Sequence, residues 1–192
     1  MKLALDRHGW LRPHARVAHA RSPNHDMRPA GDDAWLLVIH NISLPPGVFG
    51  GTEVVDLFLN RLDYDADPWL ARLRGLTVSA HFFVRRDGNI VQFVSTQKRA
   101  WHAGVSSFDG RARCNDFSVG IELEGTDTVP YTPEQYRALQ ALTPALRAAH
   151  PIKAVRGHEH IAPGRKTDPG PCFDWGRYGR DNEWLRRQLP PV

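Results

Sequence analysis

Between Gly157 and Gly170 the chain reads Gly157-His158-Glu159-His160-Ile161-Ala162-Pro163-Gly164-Arg165-Lys166-Thr167-Asp168-Pro169-Gly170, which crowds imidazole, carboxylate and ammonium groups into one short stretch. Pro163 and Pro169 fix φ and the glycines open conformations closed to other residues, so the segment reads as a stiff loop. His158 and Asp168 stand on either side of its turn, with Lys166 beside them. Imidazole nitrogen and carboxylate oxygen are natural zinc ligands, and a hydrolytic zinc site takes three protein ligands and keeps a fourth position for water. The best third ligand is His40. It follows the apolar run Trp35-Leu36-Leu37-Val38-Ile39, and active-site groups of α/β proteins gather at strand ends. His158 and His160 form a rival pair, because alternate residues of a strand share a face. Asp168 is preferred over His160, since the stiff loop otherwise has no task. Most of the ten histidines are expected to be ordinary surface or core residues.

A second set of carboxylates lies in Val119-Gly120-Ile121-Glu122-Leu123-Glu124. A period of two puts Ile121 and Leu123 on one face and Glu122 and Glu124 on the other. Either a wet sheet edge or a face that opens onto a site accounts for them. Beside a metal, one glutamate takes the proton of an attacking water. Lys166 then stabilises the negative charge that builds on an attacked carbonyl oxygen. Together these groups suggest a zinc hydrolase.

The elements that must position them follow from pattern. Residues up to about Ala34 show no sustained period and read as an extended N-terminal arm with one short strand around His14 to Ala18. Trp35 to Ile39 is a buried strand. Thr52 starts a helix through about Leu62 with Val55, Leu59 and Leu62 on its buried face. Val78 to Val84 and Ile90 to Val94 are strands joined through Arg86-Asp87-Gly88-Asn89, a hairpin signal. Ser118 to Leu123 is another strand. Thr132-Pro133-Glu134-Gln135 carries a capping box and a proline at the first helical position, and the helix it opens buries Tyr136, Leu139, Leu142 and Leu146. Pro144 predicts a kink or break near Gln140. Ile152 to Val155 is a short strand leading into His158, and Asn182 to Leu189 a closing helix. The pattern is a single α/β domain over 1–192: arm 1–34, catalytic core 35–180, C-terminal helix and tail 181–192. Its core is one mixed sheet with helices packed on it.

A hydrophobic fraction of 41% and a charged fraction of 24% are those of an ordinary globular protein. A net charge of +4 without any block of basic residues argues against nucleic acid and suits an anionic small-molecule substrate. Asp6, Arg7 and His8 follow Met1 to Leu5 at once, so no signal-peptide core forms, and no segment reaches membrane-spanning length. The expectation is a cytoplasmic protein, with no membrane association and with Cys114 and Cys172 as reduced thiols.

His40-Asn41-Ile42-Ser43-Leu44-Pro45-Pro46-Gly47, Val78-Ser79-Ala80-His81, Arg99-Ala100-Trp101-His102-Ala103-Gly104, Arg113-Cys114-Asn115-Asp116, Gly120-Ile121-Glu122-Leu123-Glu124-Gly125 and the loop from Gly157 to Gly170 occur in this order. Together they closely resemble the AmpD-type cytoplasmic anhydro-N-acetylmuramyl-L-alanine amidases. These belong to the zinc amidase superfamily that also contains the peptidoglycan recognition proteins, and the resemblance covers about residues 15 to 180. It implies a central mixed β-sheet flanked by α-helices, with the zinc site at one face of the sheet. It implies zinc held by His40, His158 and Asp168, with Glu122 rather than Glu124 as catalytic glutamate and Lys166 polarising the carbonyl. It implies cleavage between the lactyl group of anhydro-muramic acid and L-alanine, in the recycling of imported muropeptides. Asn41, Trp101, His102 and Arg113 match substrate-groove positions, and Arg113 suits a peptide carboxylate. Cys172 is a further thiol near the loop that could add a fourth ligand. The rival readings are a muropeptide-binding module without catalysis and an amidase that acts on polymeric wall.

Overall fold

A computed structural model describes residues 2–191. Ten strands are β1 (Val17–His19), β2 (His25–Met27), β3 (Leu36–Ile42), β4 (Phe82–Val84), β5 (Ile90–Gln92), β6 (Lys98–Ala100), β7 (Ser107–Phe108), β8 (Arg111–Ala112), β9 (Ser118–Glu124) and β10 (Ala154–Gly157). Four helices are α1 (Glu53–Phe58), α2 (Pro133–Ala149), α3 (His158–Ile161) and α4 (Trp175–Asp181). Six strands form one mixed sheet in the order β1-β5-β4-β9-β3-β10. β3 runs parallel to both β9 and β10, and the β4–β5 pair is the antiparallel hairpin read from Asp87-Gly88. The chain is a single α/β domain, as its sequence pattern predicts.

β3 is buried along Leu36 to His40, as the unbroken apolar run of a central parallel strand requires. Its odd residues Leu37 and Ile39, with Ile121 and Leu123 of β9, face α2 and meet Leu139, Leu142 and Leu146 in the main core. Each such leucine contributes roughly 1.5–3 kcal/mol by burial. α2 begins as its sequence predicts: the Gln135 amide N–H donates to Thr132 Oγ1 at 3.1 Å and the Thr132 N–H to Gln135 Oε1 at 3.0 Å. The Gln135 side chain also donates to the carbonyls of Val84 and Glu124, pinning the helix to two strand ends. The opposite face of the sheet carries Leu36, Val38 and His40 on β3 and Ser118, Gly120 and Glu122 on β9.

Several elements depart from their sequence signals. α2 is unbroken, with Pro144 inside it; Gln140 and Pro144 are exposed, so the carbonyl freed by the proline faces solvent. α1 is one turn shorter than its pattern and buries Val54, Leu57 and Phe58 in place of Val55 and Leu59. The closing helix is α4, capped by Asp174, and residues 182 to 189 hold only a 3-10 turn, Arg186–Gln188. The arm contributes two strands, β1 on the main sheet and β2 on β6, and buries Leu3 and Leu11 in the core. Its Arg28 is buried, and donates to the carbonyls of Asn115, Asp116, Thr96 and Ser118 at 2.8–3.2 Å. Cys114 and Cys172 are free thiols, and among the described residues no helix is long and apolar enough to cross a membrane.

Candidate metal centre and cleft

Strand register assembles the site. His40 of β3 stands opposite Glu122 of β9, and Ile39 opposite Gly157 of β10, so His158 emerges next to His40. Three neighbouring parallel strands thus deliver a carboxylate and two imidazoles at their carboxyl ends, where open α/β sheets bind ligands. The loop after α3 brings Asp168 over them.

The donor atoms of His40, His158 and Asp168 all lie within 4.8 Å of one another. The two Nδ1 atoms are 3.0 Å apart, and Asp168 Oδ2 is 3.0 Å from that of His40 and 3.2 Å from that of His158. Zinc ligands at 2.0–2.1 Å in tetrahedral array would stand about 3.3 Å apart, so the triangle is close to the size a metal requires. Its chemistry fits as well. His158 Nε2–H donates to the Ala103 carbonyl at 3.0 Å, which leaves a lone pair on Nδ1 pointing at His40 Nδ1 and at a carboxylate oxygen. Lone pairs held that close call for a proton or a cation between them.

The electrostatics agree. Burial pushes the His40 imidazole down to about 4, against the upward pull of Asp168. Burial raises the Asp168 carboxyl, but contact with the His158 and His40 rings outweighs it and holds the group below the usual carboxylate range. Burial pushes Glu122 well above its ordinary value and Asp168 adds to this, while the Lys166 charge draws it back. Glu122 Oε2 is buried without a hydrogen-bond partner. Glu124 is different: its oxygens accept the Gly50 and Arg86 amides at 2.6 and 2.8 Å, so it holds loops and is no wet edge.

The Asp168 loop is pinned through its backbone. The Pro169 carbonyl accepts from Tyr131 Oη–H at 2.7 Å and from Asn41 Nδ2 at 3.1 Å, and the Asp168 carbonyl accepts the Glu159 amide at 2.9 Å. Gly170 has φ +77° and lies against Asp127, where a Cβ would come within 2.6 Å of the Asp127 backbone. Asn41, expected in the substrate groove, thus spends its amide on Pro169 and on Asp127 Oδ1. Tyr131, which sequence reasoning missed, does as much for the loop.

Around the cluster lies a cavity of about 350 Å³, lined by Asn41, Trp101, Glu122 and Lys166 and continuing along Leu57, Trp69 and Leu76. Trp101, expected in the substrate groove, is on the cavity wall. His102 also lines the cavity, but Nδ1 meets His40 Nε2 at 2.9 Å and Nε2 meets Ser118 Oγ at 3.1 Å, so both nitrogens are engaged within the protein. Arg113 lies outside the cleft lining, exposed and paired with Asp116 at 3.2 Å; a peptide carboxylate would have to extend past the cavity to meet it. His160 is not in the cluster. It lies on α3, a helical turn where the alternation argument fails, and its Nδ1 accepts the Gly157 amide at 3.0 Å. Cys172 is not in the cluster either.

Behind the site His81 is buried as a neutral ring. Its Nδ1 accepts the Gly120 amide at 3.0 Å and its Nε2–H donates to the Lys98 carbonyl at 3.0 Å. Burial holds its pKa well below 6.5, and the Arg28 guanidinium adds to the effect. The unfolded chain takes up this proton near pH 6.5 and the folded chain refuses it. The stabilisation is therefore complete above that pH and is lost as pH falls below it. Urea midpoints should decline from about pH 7 to about pH 5, with a shallower decline in His81→Asn.

A sheet that presents two imidazoles and a carboxylate at its parallel strand ends, with a second carboxylate brought over them by a loop, is the architecture of a metal-site hydrolase. The family model for N-acetylmuramoyl-L-alanine amidases matches residues 31–171, a span that holds the whole cluster together with Glu122 and Lys166, and the chain belongs to this family. It is 55% identical over 172 residues to the 1,6-anhydro-N-acetylmuramyl-L-alanine amidase AmpD of Enterobacter cloacae, covering 88% of this chain and 90% of that one. A crystal structure of a selenomethionine AmpD derivative superposes with a TM-score of 0.88 at 54% identity, covering 92% of this chain and 98% of that one. The Escherichia coli amidase AmiD, solved with anhydro-N-acetylmuramic acid-L-Ala-D-γ-Glu-L-Lys, superposes with a TM-score of 0.55 at 31% identity, over 92% of this chain and 65% of that one.

Proposed function

We propose that this chain is a zinc-dependent amidase that cleaves the bond between the lactyl group of anhydro-N-acetylmuramic acid and L-alanine in cytoplasmic recycling of muropeptides. The observation that carries the reading is the convergence of His40, His158 and Asp168 beside the buried, unpartnered carboxyl of Glu122 in one cavity. The three would hold the metal. Bound there, zinc supplies Lewis acidity, which acidifies water and polarises a carbonyl oxygen. Glu122 takes the proton of the attacking water and returns it to the departing alanine nitrogen; a carboxyl with raised basicity suits a group that must hold that proton in between. Lys166, on the cavity wall, offers its ammonium to the oxygen on which charge builds. Trp101 presents a flat apolar face for a sugar ring. Residues 35–180 form the catalytic core, with the arm and tail folded onto it.

The test is direct. Purified protein is incubated with soluble anhydro-muropeptides and with intact sacculi, with and without a chelator, and released peptide is identified by mass spectrometry. Cleavage of the soluble fragments that stops on chelation and resumes with zinc is expected. Binding without cleavage would leave a muropeptide-binding module, and equal digestion of sacculi would remove the recycling role.

A further inference from the structure

Residues 102 and 103 touch both imidazoles of the cluster from behind. The Ala103 carbonyl receives His158 Nε2–H at 3.0 Å, and since a carbonyl only accepts, His158 must keep Nδ1 free. His102 Nδ1 lies 2.9 Å from His40 Nε2, and His102 Nε2 lies 3.1 Å from Ser118 Oγ. With His102 protonated at Nε2 and donating to the serine, its Nδ1 accepts from His40 Nε2–H, and His40 Nδ1 is free as well. The His102 ring is fixed against β9, because a Cβ on Gly120 would fall 2.5 Å from its Cγ. The dipeptide backbone is fixed too: Asn115 Oδ1 accepts both the His102 and the Ala103 amide N–H, at 3.1 and 2.8 Å.

We propose that His102-Ala103, clamped by Asn115 and completed by Ser118, is a positioning element that sets the tautomer of both metal-site histidines so that each presents Nδ1. The inference rests on the reading that these histidines hold zinc. It gives His102 a task other than substrate contact, and it makes Asn115 and Ser118 functional although neither reaches the cavity. Partners of this kind, behind a metal ligand, typically change metal affinity by tenfold to a hundredfold when removed.

Two measurements on the whole chain decide it. In His102→Phe, which keeps a ring but loses both nitrogens, zinc affinity by chelator competition without substrate should fall about tenfold to a hundredfold, and His102→Asn, which restores an acceptor near Nδ1, should recover most of it. Ring-nitrogen NMR of the unsubstituted zinc-loaded protein should show His40, His102 and His158 all protonated at Nε2. Unchanged affinity in His102→Phe, or any of the three rings protonated at Nδ1, overturns the proposal. Should His102→Phe fail to fold, the spectrum of the unsubstituted protein decides alone. Absence of zinc binding in the unsubstituted chain would defeat the metal reading and this inference together, whereas normal binding with an unaffected His102→Phe defeats this inference only.

Discussion

Glu122→Gln is expected to lower turnover of anhydro-muropeptide by about a hundredfold to ten-thousandfold, the range for a positioned general base, while zinc per chain stays unchanged. The amide keeps the side chain's shape but cannot take the proton of water. Thermal stability should rise in the same variant. The native carboxyl is buried with Oε2 unpartnered and its pKa pushed up by burial, so folding works against its ionisation. Glu124→Gln makes the contrast: it disturbs the bonds to the Gly50 and Arg86 amides and should cost stability far more than turnover. Equal losses of kcat in the two variants would show that the base is misassigned. Calorimetry, metal analysis and initial rates on the three proteins suffice.

Asp168→Ala should remove metal and activity together. Its Oδ2 is the only anionic donor in the cluster, and its loss should weaken zinc by more than the tenfold to hundredfold typical of a group behind a ligand. His160→Ala should retain zinc, because His160 serves the Gly157 amide and packs edge-on against Trp175 at 5.6 Å. Titration of each apoprotein against a chromophoric chelator reads the difference. Full zinc occupancy in Asp168→Ala would sink the assignment.

What the sequence made legible was whatever a local pattern encodes. The capping box at Thr132, the hairpin at Asp87-Gly88 and the buried run before His40 each act over a few residues, and each stands where its pattern puts it. The chemistry-bearing residues were legible by type and motif. Their relation was not: that His40 pairs in register with Glu122 is a fact about β3 meeting β9 across 82 positions, and no local spacing carries it. The same limit applies to the groove. Asn41 and His102, expected there from the family resemblance, line the cavity, and their nitrogens also bond inward, to a loop carbonyl and to a neighbouring ring. Pro144 signalled a break, and the packing of Leu139, Leu142 and Leu146 against the sheet overrode it. Tyr131 carries no signal short of the folded chain, since it acts on a backbone group 38 residues away, and Asn115 is marked only as part of a motif, with nothing to show that it holds the amides of residues 102 and 103.

The buried arginine of the arm gives the molecule a boundary of its own. Arg28 precedes the family-matched stretch, which starts at residue 31, yet it is the donor for four carbonyls, one of them that of Ser118 at the start of the strand bearing Glu122. At the other end the match stops at residue 171, short of Phe173, Tyr178 and Trp184, which belong to the same core as Leu139. Stripping a buried acceptor of its partner costs about 1–3 kcal/mol. Three of the four contacts are buried, and together they weigh against the roughly 5–15 kcal/mol that separates a folded domain from its unfolded chain. The stretch that the family model matches is therefore narrower than the stretch over which the core and its hydrogen bonds extend. A protein engineer who trims the chain to residues 31–171 removes part of the scaffold behind the strand that bears Glu122.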